Sequence, residues 1–216
     1  MTSVLDVLFL TTGLLSAVLA FLIASLMFRS FSTIRVDYLV GFPAGFSLLG
    51  LSFIFFDLSY AVPLPNTISW APFVLGSYGF AFLAMTYFLK KRGGASSWSV
   101  RQFFSILAIL AVVTVLFISG SSLPPISSFQ SVEIVFRVVN LVFLGYIIFS
   151  LNQALRTEAE LSNVVLGFTF LSIDQYSLLL WALDPGFVWS LFFAQLVRVA
   201  GLVILAVFLV KGLRRM

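Results

Sequence analysis

Residues 164–210 read VVLGFTFLSIDQYSLLLWALDPGFVWSLFFAQLVRVAGLVILAVFLV. Two apolar runs, Val164 to Leu183 and about Gly186 to Val210, meet at an Asp184-Pro185-Gly186 turn. Each is long enough for a helix rising about 1.5 Å per residue to cross ~30 Å of hydrocarbon. Proline withholds an amide hydrogen and restricts the residue before it, so the helices stop here and return antiparallel. Each run carries one charge near its middle, Asp174 in the first and Arg198 in the second. Alone, either charge costs roughly 2.5–3.5 kcal/mol inside a bilayer on insertion scales. Consecutive antiparallel helices put the two at similar depth, which predicts an Asp174–Arg198 ion pair.

The same pattern extends outward along the chain. Seven apolar stretches begin near Val4, Tyr38, Trp70, Phe103, Val132, Val164 and Trp189. Basic residues follow the first (Arg29, Arg35), third (Lys90, Lys91, Arg92, Arg101), fifth (Arg156) and seventh (Lys211, Arg214, Arg215) stretches. The N-terminus and the other connections hold none, so the positive-inside rule places the N-terminus outside and the C-terminus in the cytoplasm. The expected fold is all-α: a polytopic bundle of seven transmembrane helices, one domain over 1–216, in the cell membrane. Asp6 precedes a stretch running to Phe28, too long for a signal-peptide core, so it reads as a retained first span. The first and last three spans share one orientation, which permits a 3+1+3 arrangement. Sliding the chain by 127 residues sets Asp6 on Glu133, Phe9 on Phe136 and Arg29 on Arg156; a slide of 126 sets Gly41-Phe42 on Gly167-Phe168. In so apolar a sequence these matches are close to the chance rate.

Composition narrows the function. The chain is 61% hydrophobic and 9% charged, with mean hydropathy +1.15, which suits membrane lipids as its surroundings. Its net charge of +4 is explained by topology and anionic lipid, and no nucleic-acid module accompanies it. Cysteine and histidine are absent, removing the thiolate nucleophile and the commonest metal ligand and general base. No enzymatic constellation, metal site or cofactor is expected. A retinal photoreceptor is excluded because all three lysines lie at span ends.

Ionisable and polar groups inside spans are the best pointers to function. Arg137 lies about five residues inside span five, with Glu133 four positions before it, the favourable order for a helical pair. Asp57, near the outer end of span two, is a second candidate partner. Asp6, Asp57, Glu133 and Asp184 form an expected outer acidic rim. Helical spacing groups Gly167, Phe170, Asp174, Ser177 and Trp181 on span six, Glu133, Arg137 and Asn140 on span five, and Ala194, Arg198 and Gly201, flanked by Gln195, on span seven. If these stripes face inward, spans five to seven line a polar pocket in the outer half of the membrane, with Tyr78 and Ser52 adding hydroxyls. Gly41, Pro43 and Gly45 on span two read either as a close packing face or as a hinge. Gly13, Ala17, Ala20 and Ala24 on span one read as a contact face.

The leading expectation is a small-solute or ion transporter whose substrate or coupling site holds Asp174, Arg198, Arg137, Asn140, Ser177 and Tyr78. The alternatives are a ligand-sensing receptor acting through a partner, and a non-catalytic subunit joined to other membrane subunits or to its own copies. Static pairs that fix helix register compete with a binding site at every charged position. Topology is directly testable. A reporter active only in the cytoplasm should report when fused after Arg215 or inserted at Gly93-Gly94, and stay silent at Ser121; the reverse pattern inverts the orientation.

Overall fold

The computed structural model describes residues 4–34, 37–61, 69–91, 105, 107–110, 112, 114, 130–155 and 161–213. Six α-helices are described over these residues: α1 Val4–Ile34, α2 Gly41–Ala61, α3 Ala71–Lys91, α4 Gln130–Leu155, α5 Ser162–Leu183 and α6 Val188–Leu213. A 3-10 turn, Asp37–Val40, leads into α2. All six helices are long and apolar enough to cross a membrane. Lipid offers no partner to backbone N–H and C=O groups, so continuous helices are the form these runs can take there. The chain is therefore helical and consistent with an integral, multi-pass membrane protein. α4, α5 and α6 are the expected spans five, six and seven. The expected span four falls largely outside the described residues, although residues 105, 107–110, 112 and 114 are helical.

The α5–α6 turn forms as its sequence demands. Asp184 N donates to Leu180 O, closing α5, and Phe187 N donates to Asp184 O. The Asp184 carboxylate accepts from Gly186 N at 3.0 Å, so the exposed side chain caps its own turn.

Neighbouring helices pack in a closed ring, α1–α2–α3–α4–α5–α6 and back to α1. Residue contacts give the directions. Phe73 meets Phe136, Ser77 meets Asn140 and Phe88 meets Tyr146, so α3 and α4 run parallel. Helical residues of the intervening chain lie against α3, where Thr114 hydrogen-bonds Tyr78 and Leu107 packs near Phe82. Arg29 and Lys211 sit at one end of the ring, called here the basic end, and Asp184 marks the other.

Two close crossings organise the ring. A methyl group on Gly45 of α2 would come within 2.9 Å of Gly79 O on α3, and one on Gly79 within 3.0 Å of Gly45 O. On α5 and α6, a methyl on Gly201 would come within 2.9 Å of Gly167 O. The first pair maps onto the second by a shift of 122 in both helices, 45 to 167 and 79 to 201. The shift also carries Leu83, which touches Gly45, to Leu205, which touches Gly167, and Leu49, beside Gly79, to Leu171, beside Gly201. Buried Phe46 and Phe168 obey it too, and face each other with ring centroids 6.5 Å apart. Gly167-Phe168 thus corresponds to Gly45-Phe46, not to Gly41-Phe42. In α1 and α4 a shift of 127 carries buried Ala17, Ala20 and Ala24 to buried Leu144, Ile147 and Leu151.

Of the expected hinge residues, Gly45 is occupied by close packing. Pro43 lies in the first turn of α2, where an amide hydrogen has no intrahelical partner to lose, so it removes no ladder bond. Gly41 is buried at the helix start. Side chains such as Leu14, Val18, Val142, Phe149 and Leu196 face outward, a surface suited to lipid. With apolar groups on both sides of every helix, tight packing and polar contacts, more than hydrophobic burial, must hold the ring together.

The crossings predict an asymmetric response to glycine substitution. Gly79→Val and Gly201→Val should each destabilise the purified protein by about 1–3 kcal/mol or more, since the opposing atom is backbone. Gly145→Ala meets open space and should change stability by less than about 0.5 kcal/mol. Unfolding in mixed detergent micelles reads the difference.

Candidate functional site

A chain of buried polar contacts runs through the half of the bundle farther from the basic end. Arg198 of α6 donates from Nη2 (2.9 Å) and Nε (3.1 Å) to Asp174 Oδ1 of α5. Its Nη1 donates to Gln195 Oε1 one turn back. Both charged side chains are almost fully buried, 2% and 1% exposed. The ion pair expected from matched depth is therefore in direct contact. Asp174 Oδ2 accepts from Gln175 Nε2 at 2.9 Å.

Gln175 is the hub. Its Oε1 accepts from Asn140 Nδ2 at 3.0 Å and from Arg137 Nη1 at 3.3 Å, both on α4. Arg137 Nη2 reaches Glu133 Oε1 at 3.2 Å, the expected helical pair. Asn140 Oδ1 accepts from Ser77 Oγ of α3 at 2.7 Å. One amide thus links two ion pairs, and the network ties α3, α4, α5 and α6 together. α2 supplies the packing. Arg198 Cζ stands 4.6 Å from the Phe53 ring centre, while Arg137 Cζ is 5.1 Å from that of Phe73 on α3. Stacking on a ring's negative face offsets part of the desolvation of a buried guanidinium.

Three buried polar atoms of this region lack a hydrogen-bond partner among the described residues: Asp57 Oδ1, Arg137 Nε and Gln195 Nε2. The Asp57 carboxylate fills the space beside Gly13 of α1, where a methyl group would overlap it. It is the odd carboxylate, since Glu133 and Asp174 each already hold a guanidinium. The expected contact of Asp57 with Arg137 is not among these bonds.

Several expected site residues lie elsewhere. Tyr78 bonds Thr114 Oγ1 at 2.8 Å, outside the network. Ser177 is buried, but its hydroxyl donates to Ile173 O within its own helix. The outer rim is not one surface: Asp57 and Glu133 are buried and Asp184 is exposed. Of Asp6 only the backbone, in the first turn of α1, is among the described residues. No group of three carboxylates that could hold a metal occurs among the described residues. Gln175 and Ser77 were not anticipated. Gln175 adjoins Asp174 on a long apolar helix, and a buried amide there is itself a signal, because hydrocarbon penalises any unpaired polar group.

Among the described residues, the void that accompanies the cluster is small. The void between Ser52, Gly76, Arg137, Asn140, Gln175 and Arg198 is about 20 Å³, space for about one water. The large cavity, about 470 Å³, lies toward the basic end between Phe46 and Phe168 and the helix ends beyond them. A leucine layer separates the two. Leu49, Leu83, Leu144, Leu171 and Leu202, one each from α2 to α6, are all 0–1% exposed. Along its helix each stands about one to two turns from the network on one side and the cavity on the other. No known protein family matches this chain, nor does any curated protein or solved structure.

A double-mutant cycle tests whether the central pair acts as a unit. Asp174→Asn and Arg198→Gln should each cost about 3 kcal/mol, because each strands a buried partner. The double variant should cost clearly less than their sum, with a coupling of about 1 kcal/mol or more in the unfolding equilibrium. Additive losses would mean that the two residues act independently.

Proposed function

We propose that this protein is a membrane transporter for a small solute or ion, with seven spans in a 3+1+3 arrangement and its basic end in the cytoplasm. The observation that carries this reading is the place of the polar network: between two helix triplets, α1–α3 and α4–α6, whose internal crossings match glycine for glycine. Transport sites commonly lie at the interface of such repeats. The parallel α3–α4 and α1–α6 contacts are the seams along which one triplet could rock against the other. A further crossing, formed from the chain between Lys91 and Gln130, completes the seven spans and accounts for the parallel direction of α4.

In this reading the described state is closed on the outer side by the network and hollow on the cytoplasmic side. Opening outward breaks contacts between the triplets, Ser77–Asn140 first, while the Asp174–Arg198 pair stays within its own triplet. Gln175 then keeps a partner through Asp174, and Asp57, already short of one, is placed to take an incoming cation or proton. The protein acts here as a binder and carrier and not as an enzyme, residing in the cell membrane. A second reading, a static subunit within a membrane assembly, is favoured by the closure of the ion pair and the small void beside it.

The natural lack of cysteine lets one introduced thiol separate the two. Ser52→Cys sits in the void beside Arg198 and Gln175, where the native hydroxyl only reaches Pro72 O. In right-side-out vesicles a membrane-impermeant thiol reagent should modify it slowly from outside. A folded variant that stays unreactive from both faces supports the static subunit instead.

A further inference from the structure

The large cavity is remote from the charged network and differs from it in chemistry. It reaches from Phe46 and Phe168 to Met27, Leu39, Leu161 and Leu209 at the helix ends. Along α5, Leu161 to Phe168 spans about 10 Å at about 1.5 Å per residue. Its volume of about 470 Å³ is that of a small-molecule site and would hold about sixteen water- or methylene-sized groups.

The walls are unequal. Ile23, Val164, Phe168 and Leu205 on α1, α5 and α6 are apolar, whereas α3 and α4 contribute Thr86, Tyr87, Ser150 and Gln153. The Ser150 hydroxyl is buried and has no hydrogen-bond partner among the described residues. A serine on a helix ordinarily satisfies itself on the preceding turn, as Thr86 does on Phe82 O at 2.9 Å. Ser150 thus adds an unused hydroxyl behind a wall that Thr86, Tyr87 and Gln153 also make polar. Exposed Arg29 and Lys211 stand at this end of the bundle, each two residues beyond a lining residue, Met27 and Leu209. By sequence, ten of the chain's twelve basic residues belong to this end, against three carboxylates: Asp37, Glu158 and Glu160.

We infer that this cavity binds an anionic amphiphile, its apolar body against α1, α5 and α6 and its negatively charged head toward the basic end. The assignment rests on the cavity and not on the transport reading, and holds whether the occupant is cargo or resident lipid. Two photoreactive probes of matched length, a fourteen-carbon fatty acid and the corresponding alcohol, distinguish an anionic amphiphile from a merely apolar one. The full chain would be reconstituted in nanodiscs, photolabelled and mapped by peptide mass spectrometry.

The acid should label cavity peptides from α5 and α6 saturably, with unlabelled acid competing. Val164→Phe fills the cavity and should lower that labelling about tenfold, a loss of about 1.4 kcal/mol in affinity. Ala154→Phe does the same from the opposite wall and decides the matter if the first variant fails to fold. The alcohol should label more weakly, and the combined Arg29→Gln and Lys211→Gln variant should bring the acid down to the alcohol's level. Labelling confined to outward positions such as Val142 and Leu196, or unchanged by both Phe variants, overturns the site. Equal labelling by acid and alcohol overturns the anionic assignment. If the Ser52→Cys protein is inert from both faces while cavity labelling persists, transport fails and this inference stands.

Discussion

Two guanidinium groups buried in an apolar bundle set the terms for everything around them. Arg137 and Arg198 each bring a charge into surroundings where lipid supplies no counter-charge. Each therefore needs a carboxylate, further acceptors and an aromatic face in one place. Arg198 takes Asp174, Gln195 and Phe53; Arg137 takes Glu133, Gln175 and Phe73. Meeting those needs draws residues from α2 to α6, so the rotation of these helices is tied to the network. α1 joins through the small-residue face that receives Asp57.

Close packing supplies the second constraint. Where α2 crosses α3 and α5 crosses α6, backbone meets backbone through paired glycines, and leucines from the facing helices fill the sides. That contact replaces the hydrophobic drive which a bilayer does not provide. The leucine layer lies between these constraints. It lies beneath the charged half and bounds a cavity that the crossings leave open toward the basic end.

Much of this was legible in the chain. Observed helix starts fall within a few residues of the expected ones, because hydropathy and turn-forming prolines are local properties. The Asp174–Arg198 contact could be read because the two helices are joined by a turn of four residues, 184–187, which leaves little freedom in depth. Glu133–Arg137 could be read because both lie on one helix. Gln175 escaped because it sits about 100° around the helix from Asp174, outside the stripe drawn through the charge. Tyr78 was grouped with the site by depth and Ser177 by its helical spacing from Asp174, whereas their hydroxyls are used against Thr114 and against the α5 backbone.

By itself the sequence determined a helical membrane protein, the approximate bounds of its long helices, the end at which cations gather and the identity of its central ion pair. All of these depend on residues near one another along the chain or on the cost of charge in hydrocarbon. Tertiary structure alone decided that Gly45 answers Gly79 as Gly167 answers Gly201, that one glutamine joins two ion pairs, and that the charged site is closed while the apolar end is hollow. Each of these depends on the rotation and separation of helices distant in sequence. A cavity in particular is what several helices fail to fill together, and no single stretch of residues encodes it.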